Sequence, residues 1–153
     1  MQSSKAMIMQ PVEGQVFHAF GQTIHLMLNG EQTKGSITIM SGITPPGGGP
    51  PFHVHSREDE IFIVSKGRIQ YFSDGNWTEV GVGGVVYLPR GVPHCFKNIG
   101  TTDSCHWIIN IPSGFEKFFS KCAEEFSKEG GPLMDRIVEI HNEFGITLLE
   151  YPK

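Results

Sequence analysis

The residues with the clearest chemical potential lie in the stretch GGGPPFHVHSREDEIFIVSKG, Gly47 to Gly67, where two histidines one residue apart precede an acidic cluster. Successive side chains of an extended strand point to opposite faces, so His53 and His55 share one face while Val54 takes the other. After the turn Ser56-Arg57-Glu58-Asp59, the run Glu60-Ile61-Phe62-Ile63-Val64 is strand-forming, and Glu60 opens it where its carboxylate can swing toward the same pair. A further histidine, His94, starts a strand after the turn Pro89-Arg90-Gly91. Parity and turns together gather His53, His55, Glu60 and His94 as candidate metal ligands.

Imidazoles and a carboxylate are borderline donors, so the cofactor expected is one divalent transition metal ion, Fe, Mn, Ni, Co, Cu or Zn. Four protein ligands on a metal preferring five or six leave room for a substrate oxygen and dioxygen side by side, which suits an oxygenase. The same metal could polarise an enolate or hydroxyketone as a Lewis acid. Glu60 is also the candidate catalytic base, because a weakly held ligand carboxylate can leave the metal and accept a proton.

The elements that must position these residues are short strands. Nineteen glycines and ten prolines fall in small clusters between β-branched runs. Strands are expected at Val16–His18, Thr23–Leu28, Ser36–Ile43, Glu60–Val64, Arg68–Phe72, Trp77–Val80, Val85–Leu88, His94–Asn98 and Ser104–Ile111. That regular spacing is the pattern of a sandwich or barrel. His25 and His106 fall inside such strands and read as surface or core residues. After Pro112 the period changes. Ser113 and Glu116 have capping-box spacing, and Phe115, Phe118, Phe119, Cys122, Ala123 and Phe126 recur at helical intervals. A second helix is expected over Leu133–Phe144, with Ile137, Ile140, His141 and Phe144 on one side, and a last strand at 146–149.

At 153 residues the chain fits one domain, with the barrel over about 12–111 and the helical extension over about 113–144. A net charge of −4 without a Lys/Arg cluster argues against a nucleic-acid partner. Three cysteines without CxxC spacing suit reduced thiols. The first residues lack a signal-peptide core and no apolar run approaches a membrane span, so a cytoplasmic protein that does not contact membrane is expected. Met7, Ile8 and Met9 belong to an N-terminal arm without an obvious place in one core.

The two histidine stretches resemble the paired motifs of the cupin superfamily. Gly47, five residues, His53-Val54-His55, four residues, Glu60, six residues, Gly67 reproduces the first motif. Gly83, five residues, Pro89-Arg90-Gly91, two residues, His94, three residues, Asn98 reproduces the second. The resemblance implies a mainly β fold, a double-stranded β-helix or jelly-roll barrel, with two C-terminal α-helices and one metal held by His53, His55, Glu60 and His94. Glu58 and Asp59 compete with Glu60 as the coordinating acid, and Glu60 alone fits the spacing to both His55 and Gly67.

The GGGPP entry, the REDE stretch and the PSGFEKFF helix look like the single-domain flavonol (quercetin) dioxygenase-like cupins. Phe52 and Val54 depart from the commoner PPHIH wording. This closer likeness implies a homodimer and a metal-dependent dioxygenase that opens an oxygenated aromatic or hydroxyketone substrate such as a flavonol. A non-redox isomerase and a non-catalytic small-molecule binding or sensing protein are the other two readings.

Overall fold

The computed structural model describes residues 5–11 and 13–152; the first four residues of the expected arm lie outside them. The strands are β1 Gln15–Ala19, β2 Gln22–Leu28, β3 Thr38–Thr44, β4 His53–His55, β5 Asp59–Lys66, β6 Ile69–Ser73, β7 Asn76–Val80, β8 Val85–Leu88, β9 His94–Asn98, β10 Ser104–Ile111 and β11 Ile146–Leu148. The helices are α1 Glu116–Phe126 and α2 Met134–Glu143.

The strands form two antiparallel sheets. One runs β1-β2-β3-β10-β5-β8 and the other β11-β4-β9-β6-β7. Alternation sets their inner faces: Ile24 and Leu26 of β2, Met40 of β3, Phe62 and Val64 of β5 and Ile108 of β10 meet Ile69 and Tyr71 of β6 and Phe96 of β9. The mainly β architecture with two C-terminal helices is as the sequence implies. His106, on the inner face of β10, is buried and its Nδ1 lies 2.8 Å from the Tyr71 hydroxyl. His25 lies on the opposite, outward side of β2 from Ile24 and Leu26.

Two devices bind the histidine stretches to each other. Asn98, buried at the end of β9, donates from Nδ2 to the carbonyls of Thr44 (2.9 Å) and Thr102 (2.8 Å). Its backbone meanwhile pairs with Gly47 and Gly48. Gly49 is needed because the loop runs against β9 there, and a Cβ would overlap the Phe96 carbonyl. On the other side, Gly91 N–H donates to the His55 carbonyl at 2.8 Å. Asp59 holds the same turn through the Arg90 backbone N–H (2.9 Å) and Nε (3.0 Å).

The capping box expected of Ser113 and Glu116 does not form. Helix α1 starts after Phe115 with no side-chain cap. Glu116 instead accepts hydrogen bonds from the Gly30 N–H (2.7 Å), the Gly114 N–H (2.8 Å) and the Thr38 hydroxyl. A carboxylate offered two donors by the barrel and one by the turn before α1 satisfies more of them there than by folding back on its own helix. The result pins α1 to the barrel, where Phe115, Phe118, Phe119 and Cys122 join the core. Among the described residues, no helix is long and apolar enough to cross a membrane.

Candidate metal centre

The four residues singled out by spacing meet where the two sheets face each other. His53 and His55 sit on the inward side of β4, with Val54 turned away and less buried. Antiparallel pairing places His94 of β9 opposite His53. Glu60 comes from the other sheet, buried on β5 between Leu88 of β8 and Asn110 of β10. One donor atom from each of the four lies within 4.8 Å of all the others. His53 Nε2 is 3.1 Å from His55 Nε2, and Glu60 Oε2 is 3.3 Å from His55 Nε2 and 2.7 Å from His94 Nε2.

The outer ring nitrogens fix which atoms face inward. Nδ1 of His53 donates to the Pro51 carbonyl (2.7 Å), Nδ1 of His94 to the Val92 carbonyl (2.9 Å), and Nδ1 of His55 to Glu58 Oε2 (3.3 Å). Carbonyls and carboxylates only accept, so each Nδ1 carries its proton and each neutral ring turns an Nε2 lone pair toward the centre. Three lone pairs and a carboxylate oxygen this close repel one another unless a cation lies among them. The donor set and its outer supports therefore fit a transition metal.

The four groups are electrostatically coupled. Burial, reinforced by His94 and His55, pushes His53 down to about 3, a neutral ligand at ordinary pH. Burial also works against a charged His55, but the Glu60 and Glu58 carboxylates outweigh it and raise its pKa. Burial alone would raise Glu60, yet the neighbouring His55 and His94 rings hold it well below the ordinary carboxylate range. Asn110 Nδ2 donates to Glu60 Oε1 at 3.1 Å, leaving Oε2 as the inward oxygen.

The competing acids have other positions. Glu58 is buried on the outer nitrogen of His55. Asp59 pairs with Arg90, whose hydrogen bonds lower its pKa. Beside the four residues lies a cavity of about 60 Å³, as traced by the centre of a water molecule, enough for a small organic group. Its walls include Phe62, Phe96 and Ile108 from the barrel and Phe115, Phe118 and Phe119 from α1. The Phe115 ring stands 4.8 Å from that of His55, edge to face. Two polar residues that spacing did not single out as site residues, Gln22 and His141, also line it.

Residues 42–111 match the model of the Cupin domain family. Among solved structures, a predicted oxalate decarboxylase from Thermotoga maritima superposes with a TM-score of 0.64 at 20% identity, covering 69% of this chain and 99% of that one. KdgF from Halomonas sp. gives 0.65 at 15% identity, over 74% and 99%. The polyketide cyclase RemF from Streptomyces resistomycificus gives 0.61 at 20%, over 70% and 80%. The barrel has the cupin fold.

Among curated proteins, an uncharacterized protein of Methanocaldococcus jannaschii is 31% identical over 81 residues, 52% of this chain. The match spans 65% of that protein's own length, just under two thirds. Structures that share this fold are described as differently as a predicted oxalate decarboxylase and a polyketide cyclase, so the reaction has to be argued from the site.

Proposed function

We propose that this chain is a metal-dependent cupin dioxygenase, of the flavonol dioxygenase-like type, acting on a small oxygenated aromatic or hydroxyketone substrate. The observation that carries the reading is the convergence of three inward Nε2 atoms and Glu60 Oε2 at the wall of a cavity lined by phenylalanines. Bound by His53, His55, Glu60 and His94, a divalent transition metal would supply Lewis-acid polarisation of a substrate oxygen and an electron path between substrate and dioxygen.

The chain's own groups do the rest. Phe115, Phe118 and Phe119 keep water from the cavity and favour an apolar substrate body. Glu60, oriented through Oε1 by Asn110, would take the proton of a substrate hydroxyl on Oε2 when that oxygen is released from its role as a ligand. The cavity of about 60 Å³ suits a single-ring hydroxyketone better than a whole flavonol. The protein is further proposed to be a cytoplasmic homodimer.

Oxygen uptake tests the reading. The Fe, Mn, Ni, Co and Cu forms are each offered flavonols and single-ring hydroxyketones, and at least one pairing is expected to consume oxygen with loss of substrate. Substrate turnover without oxygen uptake replaces this reading with the isomerase one, and binding without turnover replaces it with the sensing one.

A further inference from the structure

The cavity wall contains polar groups that neither the fold nor the four-residue cluster uses. His141, on α2, is 6% exposed and donates from Nδ1 to the Ile137 carbonyl at 2.7 Å. That bond fixes its tautomer, because a carbonyl cannot donate, and leaves Nε2 as a lone-pair acceptor. Nε2 has no hydrogen-bond partner among the described residues, although the ring lines the cavity. The ring is held edge-on by Phe118 at 4.9 Å and Phe20 at 5.9 Å. Gln22 follows Phe20 by two residues, is 6% exposed, and lines the same cavity. Its side-chain amide likewise has no partner among the described residues, in contrast to Glu116 and Asn98, whose buried polar atoms are all engaged.

Polar side chains buried this far are ordinarily paired, since an unmade hydrogen bond in the interior is costly. An imidazole and an amide left open toward an apolar cavity are poised for a ligand. Together they present an acceptor at His141 and both a donor and an acceptor at Gln22, the complement of a hydroxyl group.

We propose that His141 and Gln22 form a second recognition point in the cavity, binding a hydroxyl carried by the substrate away from the oxygens that face His53, His55, Glu60 and His94. The ligand class is a small hydroxyketone with an additional hydroxyl on its far side. This inference rests on the proposed hydroxyketone reading and sharpens it. His141 touches substrate and leaves the metal cluster to the four residues already described, so its loss alters which ligand is preferred and spares metal retention.

Two pyranones that differ by one oxygen make the test. Kojic acid carries a hydroxymethyl group where allomaltol carries a methyl, and both present the same hydroxyketone. Calorimetric binding to the redox-silent zinc form is expected to favour kojic acid by about tenfold, the size of one buried hydrogen bond. In His141→Phe, which keeps an aromatic ring between Phe20 and Phe118, the ratio is expected to fall to about one. Allomaltol affinity and zinc content should stay near those of the parent. Gln22→Leu provides the same comparison should the helix variant fail to fold. A parent without preference, or a preference kept in the folded variants, overturns this inference and leaves the hydroxyketone reading standing. Failure of both pyranones to bind the parent overturns the two together.

Discussion

Nδ1 of His55 lies 3.3 Å from Oε2 of Glu58, and both side chains are buried. The neighbouring rings use backbone carbonyls for the same purpose, so among the described residues Glu58 is the side chain that supports an imidazole of the cluster and can be removed by mutation. Glu58→Leu is expected to weaken metal binding by about 10–100-fold with all four donor residues intact. A competition titration against a chelator reads this directly, and an unchanged affinity would show that His55 needs no such support.

Glu116 gives the fold an acid-sensitive joint. Burial alone would raise its pKa, but hydrogen bonds from Thr38, Gly30 and Gly114 lower it on balance. A depressed folded value means that the stabilisation is complete above the unfolded pKa of about 4.3 and is lost as pH falls through the folded value. Glu116→Gln is therefore expected to cost roughly 1.5–3 kcal/mol at neutral pH. It should also flatten the decline of stability below about pH 4. Urea unfolding of both proteins across that range checks the sign.

Much of the site was legible because strand parity is a local rule. His53 and His55 share a face by alternation alone, and His94 follows a turn whose Pro and Gly are visible in the sequence. The supporting contacts were not legible. Glu58 looked like a rival ligand because sequence shows three acids in a row and not which ring nitrogen each one meets. The Ser113–Glu116 capping pattern failed because Gly30 and Thr38, far away in the chain, compete for the same carboxylate. His141 followed the period of an apolar helix face, and only the docking of α2 reveals that this face borders a cavity.

The loop that delivers His53 tolerates little change. A Cβ at Gly49 would overlap the Phe96 carbonyl, a backbone atom that cannot step aside without moving β9. Gly49→Ala is expected to lower stability by about 1–3 kcal/mol, as overpacking does, and is read as a lower urea midpoint. Gly81→Ala, where an added Cβ meets nothing within 4 Å, is the control.

The outer face of the six-stranded sheet is the expected dimer surface. Pairing aligns Ile39, Ile109, Ile61 and Tyr87 in one row and Ser41, Trp107, Ile63 and Val85 in the next. Trp107, Val85 and Tyr87 are exposed. These rows contain no charged residue, so they suit an identical copy related by a two-fold axis better than an ionic partner. Trp107→Glu is expected to elute as a monomer where the parent elutes as a dimer. A monomeric parent at working concentration would refute the assignment.

His53, His55, Glu60 and His94 are expected to hold one metal ion. Elemental analysis of the purified parent and of His55→Ala, with circular dichroism to confirm the fold of each, tests it most directly. Close to one transition-metal ion per parent chain and a marked loss in the folded variant are expected, whereas equal metal content in the two proteins would show that these residues do not hold the ion.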